Sequence, residues 1–234
     1  MRLKSLVFTL LTAVLTLGCA THPAPNVPPN THVADPLISR TVALVMDVGE
    51  GQARPYCSGV WVSPNHILTA EHCLEESEVG DPAEYSIQRD VLDNGVERAN
   101  MTRRPAHLVA KDAEHDLAML RADFPPEHEF AFAGGLHDPY PGQFVQTMGH
   151  PRGLWYSYSS GEIAAVRKTD VGLDIFWIQS TAPISGGNSG CGLFDSDNRL
   201  IGIASRQFTR GQQLNFFVHE KYVAEFVGLH ARYR

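Results

Sequence analysis

Ile178-Gln-Ser-Thr-Ala-Pro-Ile-Ser-Gly-Gly-Asn-Ser189-Gly-Cys-Gly-Leu-Phe194, followed by Leu200-Ile-Gly-Ile203, is the stretch on which the reading of this chain turns. The apolar run Ile175-Phe-Trp-Ile-Gln179 gives way to the glycine-dense loop Ser185-Gly-Gly-Asn-Ser-Gly190, after which short apolar runs resume. Such runs on either side of a glycine cluster read as strands joined by a sharp turn. In that turn the backbone can bend and leave N–H groups pointing outward around Ser189. A serine hydroxyl there is a poor nucleophile until a neighbouring imidazole takes its proton. The imidazole must in turn be held in one tautomer, which a buried carboxylate does by accepting its other N–H.

Two upstream segments supply those groups. One is Cys57-Ser-Gly-Val-Trp-Val-Ser-Pro-Asn-His-Ile-Leu-Thr-Ala-Glu-His72-Cys73, and the other is Glu114-His-Asp116-Leu-Ala-Met-Leu-Arg121. A Gly-Asn-Ser-Gly string alone is common by chance. Three segments in the order His72, Asp116, Ser189, each beside an apolar run, are far more specific. Together they resemble the trypsin-like serine proteases over roughly residues 37–230, and the third segment looks most like the HtrA (Do-like) branch.

The resemblance implies an all-β fold of two six-stranded antiparallel β-barrels with a C-terminal α-helix. It implies His72, Asp116 and Ser189 as a catalytic triad, and the N–H groups of Gly187 and Ser189 as an oxyanion hole. It also implies a disulfide between Cys57 and Cys73, a bond that an exported protein can keep. Ser205-Arg206-Gln207 matches the edge that pairs with substrate backbone by β-addition. Ser205 matches the residue whose hydroxyl supports the aspartate, and Pro183 falls near the base of the S1 pocket. No acid is available there to bind Arg or Lys, and Ala204 stands where glutamate-specific relatives have histidine, so an apolar or small pocket is expected. Arg206 reads either as an attractor of acidic side chains or as a solvated surface arginine. Two departures are Glu71, where the family has Ala, and Cys191, which reads as a small buried core residue or as a redox-sensitive thiol.

The wider patterning agrees. Thr41-Val-Ala-Leu-Val-Met46, Gly59–Ser63, His66–Thr69, Leu117–Leu120, Phe144–Met148 and Leu200–Ala204 are short apolar runs separated by Gly, Pro, Asn and Asp clusters. From residue 37 the pattern reads as β, with barrels over about 37–125 and 138–218. From His219, the residues Tyr222, Val223, Phe226 and Val227 recur at helical spacing, predicting a closing helix over about 219–231. His115 is expected to point away from the Asp116 side by strand alternation. His150 reads as shaping a loop of the second barrel, with a substrate role as the alternative.

The N-terminus reads as targeting. Arg2 and Lys4 precede the apolar stretch Leu6–Leu17, which ends at Gly18-Cys19. This is shorter than the roughly 20 residues of a membrane span. The segment 1–18 resembles a bacterial lipoprotein signal, with Cys19 as the lipidated residue and membrane anchoring as the consequence; an ordinary cleaved signal peptide is the other reading. Residues 19–36 carry five prolines and almost no large apolar side chain, a composition for a semi-rigid tether. Ala20 follows Cys19 in place of an inner-membrane retention Asp, which for a Gram-negative source implies the outer membrane.

Of the 234 residues, 43% are hydrophobic and 19% charged, ample for a core and too few charges for disorder. The net charge is −7, and removal of Arg2 and Lys4 with the signal makes the rest more acidic, which argues against nucleic acid as a partner. There is no His-Glu-x-x-His, no phosphate loop and no dinucleotide fingerprint, so neither a metal nor another cofactor is expected. No Ile-Val-Gly-Gly start exists and Asn188 precedes Ser189, so activation by N-terminal cleavage is not expected. Only 45 residues follow Ser189, too few for the PDZ domains of HtrA proteins. The expected function is a lipid-anchored serine endopeptidase of the bacterial envelope acting on protein or peptide substrates. The alternative is a catalytically silent lipoprotein that binds peptides or an envelope partner.

Overall fold

A computed structural model describes residues 35–50, 52–74, 84–89, 102–122, 130–131, 133–135, 137–168, 175–207 and 213–231. The signal segment, Cys19 and nearly all of the tether lie outside the described residues. The first ring is built from β1 (Thr41–Gly49), β2 (Gln52–Ser63), β3 (His66–Thr69), β4 (Glu84–Arg89), β5 (Thr102–Asp112) and β6 (Leu117–Arg121). The second is built from β7 (Phe144–Gly149), β8 (Ser157–Lys168), β9 (Phe176–Ser180), β10 (Gly192–Phe194), β11 (Leu200–Gln207) and β12 (Asn215–His219). Both rings are antiparallel and closed, in the orders β1-β2-β3-β6-β5-β4 and β10-β11-β12-β9-β8-β7. Short pairings complete them: Ala43 and Leu44 with Gln88 and Ile87 in the first, Leu193 and Phe194 with Thr147 and Gln146 in the second.

Strand alternation sorts the side chains into three cores. In the first barrel Cys57, Trp61, Ile67, Ala118 and Leu120 point inward. Their neighbours Val60, Val62, Leu68, Leu117 and Met119 point to a second core shared with Trp177, Phe194, Ile203 and Val218 of the other barrel. Val145, Ile163, Ile178, Leu193 and Phe217 fill the second barrel. This is why Cys57–Ser63 is buried without a break: one face lines a barrel, and the other is covered by the neighbouring barrel.

Two helices flank the shared core. α2 (Glu220–His230) begins with His219 as N-cap, whose side chain accepts the Lys221 N–H, and buries Val223 and Phe226. α1 (Asp35–Arg40) corrects the β reading of residues 37–40. Its fully buried Leu37 enters the shared core, and Thr41 Oγ1 donates to the Leu37 carbonyl at 2.7 Å, closing the turn into β1.

The barrels meet at the glycine-dense turn. The Ser58 N–H on β2 donates to the Ser189 carbonyl at 2.8 Å, and the Gly190 N–H donates to Ala204 of β11 at 2.8 Å. Gly190 has φ +83°, and a Cβ there would lie 2.2 Å from both the Ser58 carbonyl and Thr69 Oγ1. The first barrel's backbone at Ser58 and Ala70 and the Thr69 hydroxyl, itself bonded to the Ser58 carbonyl, occupy that space and cannot yield. Gly190→Ala should therefore destabilise by more than about 3 kcal/mol. Gly228→Ala, on the exposed face of α2 with nothing within 4 Å, should stabilise by about 0.5–1 kcal/mol. Urea denaturation of both variants checks the pair; equal midpoints would contradict this packing.

Candidate active site

Each member of the predicted triad is fixed by local structure. His72 lies in a 3-10 turn, Glu71–Leu74, directly after β3. Its neighbour Cys73 is joined to Cys57 of β2 in a disulfide spanning 16 residues. A loop of that size contributes about 3 kcal/mol in the chain-entropy model. Glu71, which departs from the family pattern, is buried and ion-paired with Lys111 of β5 at 2.9 Å. Asp116 ends the turn between β5 and β6 with φ +56°, a conformation costing a non-glycine residue on the order of 1–3 kcal/mol.

The three side chains come together. His72 Nε2 is 2.8 Å from Ser189 Oγ, and His72 Nδ1 is 3.0 Å from both carboxylate oxygens of Asp116. Asp116 Oδ1 also accepts the His72 backbone N–H at 3.0 Å, so one carboxylate holds both the ring and its turn. Ser205 Oγ donates to Asp116 Oδ2. Burial alone would raise the Asp116 carboxyl, but the hydrogen bonds from His72 and Ser205 outweigh it and hold the group below the ordinary carboxylate range.

The turn before Ser189 is held from two sides. The Gly186 carbonyl accepts the Arg152 N–H at 2.7 Å. Because the peptide is planar and trans, the Gly187 N–H must point away from Arg152. Ser58 Oγ then donates to the Gly187 carbonyl at 2.7 Å. Gly187 has φ +98°, and a Cβ on it would lie 2.3 Å from the His150 carbonyl, so glycine is required. Among the described residues, the N–H groups of Gly187 and Ser189 donate no hydrogen bond.

The remaining predicted residues fall as follows. Ser205 is buried on β11 beside Asp116, while Arg206 is exposed, with its guanidinium 4.3 Å from the Trp177 ring centroid. Gln207 ends the strand half-buried. Pro183 is exposed, and the side chain that reaches its loop is Asn215, which donates to Ser180 and Ala182 carbonyls at 3.3 and 2.9 Å. His115 departs from the alternation argument because it sits in a turn, not a strand. There it meets Asp112 at 2.7 Å and stacks on Tyr222 at 4.1 Å. Cys191 is fully buried 3.0 Å from Thr147 Oγ1, and burial pushes its thiol up to about 12, the behaviour of a core residue. Among the described residues, Cys57, His72 and Cys73 cluster within 4.8 Å as metal ligands might, but the disulfide leaves neither sulfur a thiolate.

Ser58 and His150 are the residues that sequence reasoning undervalued. His150 is fully buried, with its Nδ1 3.1 Å from Ser58 Oγ and its ring edge-on to Trp155 and Tyr156. Since the Ser58 proton is engaged with Gly187, Nδ1 carries the imidazole proton; Nε2 is buried without a partner among the described residues. Burial pushes the imidazole down to about 3 from an ordinary 6.5. The unfolded chain thus binds a proton here that the folded chain refuses. This residue's contribution to stability is complete above pH 6.5 and is lost as pH falls toward 3. The slope should reach about 1.4 kcal/mol per pH unit. His150→Asn, whose amide can reach the Nδ1 position, should flatten that slope in urea titrations at pH 7 and pH 4.5; an unchanged slope would contradict a neutral buried imidazole.

Comparison with known proteins agrees with this geometry. The sequence profile described as "Trypsin-like peptidase domain" matches residues 57–203, more than half the chain. A probable periplasmic serine endoprotease DegP-like from Halomonas elongata is 38% identical over 107 residues, covering 45% of this chain and 22% of the relative. Protease Do-like 1, chloroplastic, from Arabidopsis thaliana is 31% identical over 184 residues, covering 76% and 38%. The chain thus spans well under half the length of these curated relatives. The crystal structure of the MamO protease domain from Magnetospirillum magneticum shares the fold, with TM-score 0.66 and 22% identity over 83% of this chain and 98% of that one. From the motif order, the twin barrels and the profile match together, the chain belongs to the trypsin-like peptidase family.

Proposed function

We propose that this chain is a serine endopeptidase in which Ser189 attacks the peptide carbonyl, His72 is the general base and Asp116 orients it. The observation that carries the reading is the continuous chain Ser205–Asp116–His72–Ser189, whose 2.8 Å final contact lies within proton-transfer reach. In the first half-reaction His72 takes the Ser189 proton as the tetrahedral intermediate forms. The N–H groups of Gly187 and Ser189 stabilise its oxyanion, each by about 3–4 kcal/mol. His72⁺ then protonates the leaving amine, giving an acyl-enzyme. In the second half, water attacks the ester by the same route. Ser205 acts as a positioning residue through Asp116, and β11 offers the edge for the acyl side of the substrate. No N-terminal cleavage is needed, because Gly187 is already oriented by Arg152 and Ser58.

Ser189→Ala should lower kcat/KM for an unstructured peptide by at least about 10⁴-fold. Its thermal midpoint should stay within about 2 °C, since a half-buried hydroxyl is all that is lost. Equal hydrolysis by wild type and variant would remove Ser189 from the mechanism. A wild type that cleaves nothing would favour a peptide-binding role for the cleft.

The second part of the proposal is location. Relatives named as periplasmic proteases support the cell envelope as the site of action. Cys19 is the residue for lipid attachment and residues 1–18 the signal; of the 19–36 tether, Asp35 and Pro36 belong to α1, and the part before them, fully extended, would reach roughly 50 Å at about 3.1 Å per residue. More than one acyl chain on a single cysteine is enough for stable anchoring. Cys19→Ser should therefore release the protein from the membrane fraction, and mass spectrometry of the wild-type N-terminus should find an acylated Cys19. An unmodified N-terminus downstream of residue 19 would refute the anchor while leaving the proposed chemistry intact.

A further inference from the structure

A cavity of about 340 Å³ opens beside Ser189, lined by Arg54 and Tyr56 of β2, by Arg152 and Gly153 after β7, and by Gly187. None of its lining comes from β11, the edge proposed for the acyl side. Residues that follow the scissile bond must therefore enter here, between the first barrel and the 3-10 turn Pro151–Gly153.

Among the described residues, the cavity's lining carries two guanidinium groups and no carboxylate. Arg54 and Arg152 are both exposed, and neither has an acidic partner among the described residues, although the chain as a whole is acidic at −7. Arg54 lies across Gly153, where an added Cβ would come within 2.9 Å of its Nε and 3.3 Å of its Cγ. Arg152 sits at φ +56°, and its N–H is bonded at 2.7 Å to Gly186 of the nucleophile turn. An arginine fork recognises a carboxylate through two parallel N–H···O bonds, and its rigid planar head loses less freedom per bond than a lysine would.

We propose that this cavity selects substrates with an acidic side chain at the second residue after the scissile bond, with Arg54 and Arg152 as its charge partners. The proposal rests on the endopeptidase reading above and adds a specificity to its leaving-group side. Both arginines are open to water, so the selection is moderate and salt-sensitive.

The test uses the detergent-solubilised full chain and internally quenched, C-terminally amidated peptides that differ only in the second residue after the cleaved bond: Glu, Gln or Lys. At low ionic strength the Glu peptide should be cleaved with kcat/KM about tenfold above the Lys peptide, with Gln between them, and the ratio should shrink in 0.5 M salt. Arg54→Glu should collapse or invert the Glu-to-Lys ratio. Equal rates for the three peptides, or a ratio unchanged in Arg54→Glu, would overturn the proposal. A parallel arm uses a peptide ending at that second residue with a free carboxylate. A gain confined to this peptide would assign the arginines to a chain terminus and overturn the side-chain assignment. If the wild type cleaves no peptide, the endopeptidase reading fails on its own, and anisotropy of the same peptides labelled with fluorescein still reads the cavity. Tighter binding of the Glu peptide, lost in Arg54→Glu, supports the pocket; equal affinities overturn it.

Discussion

The glycine-dense turn that carries Ser189 belongs to the second barrel in sequence but is held in shape by the first. Ser58 of β2 reaches across this junction with its N–H to the Ser189 carbonyl and its hydroxyl to the Gly187 carbonyl, while its own carbonyl is fixed within the first barrel by Thr69 Oγ1. A glycine-dense loop is entropically costly to order. Here that cost is offset by contacts from an element more than a hundred residues away in the chain, so the turn takes its shape only when both barrels have formed and docked. His150 caps the arrangement from below, with its backbone N–H and Nδ1 both directed at the Ser58 hydroxyl.

The hydrogen-bonded chain Ser205–Asp116–His72–Ser189 depends on the same docking. His72 is brought in by β3 and pinned by the Cys57–Cys73 disulfide, Asp116 arrives on the turn before β6, and both sit on the first barrel. Ser205 and Ser189 come from the second, so the continuous hydrogen-bonded chain crosses the interface twice. The shared core of Val60, Met119, Trp177, Phe194 and Val218 beneath it supplies the apolar burial that fixes the two barrels at this spacing. The strained φ of Asp116 and the costly burial of His150 are local penalties that such a core can sustain.

Much of this was legible in the amino-acid sequence, for reasons that can be named. Strands such as β3, β6 and β11 are covered on both faces, so they appear as continuous apolar runs. The juxtaposition of His72, Asp116 and Ser189 was legible because the chemistry proposed for them demands particular residue types in glycine-rich or turn contexts. β5 and β8 were not read as strands, because one face of each lies open to water; β8 alternates over much of its length between half-buried and exposed positions, and β5 begins with Thr102-Arg-Arg-Pro. β10, at three residues, is too short to show any period. α1 was read as extended because its six residues cannot display helical periodicity, and only the burial of Leu37 gives it a purpose. Ser58 is a small polar residue whose role exists only through long-range contacts. One signal was available: Ser58 directly follows the disulfide cysteine and enters an unbroken apolar strand, a place where a polar side chain must find a partner.

The central claim is that Ser189 is an activated nucleophile assembled from both barrels. A fluorophosphonate added to the purified protein tests this most directly, because it reacts with a serine only when base and oxyanion hole are both in place. Intact-mass and peptide mapping should find a single adduct on Ser189, absent from His72→Ala and from heat-unfolded protein. A wild-type protein that stays unlabelled, or carries the adduct on another residue, would contradict the account.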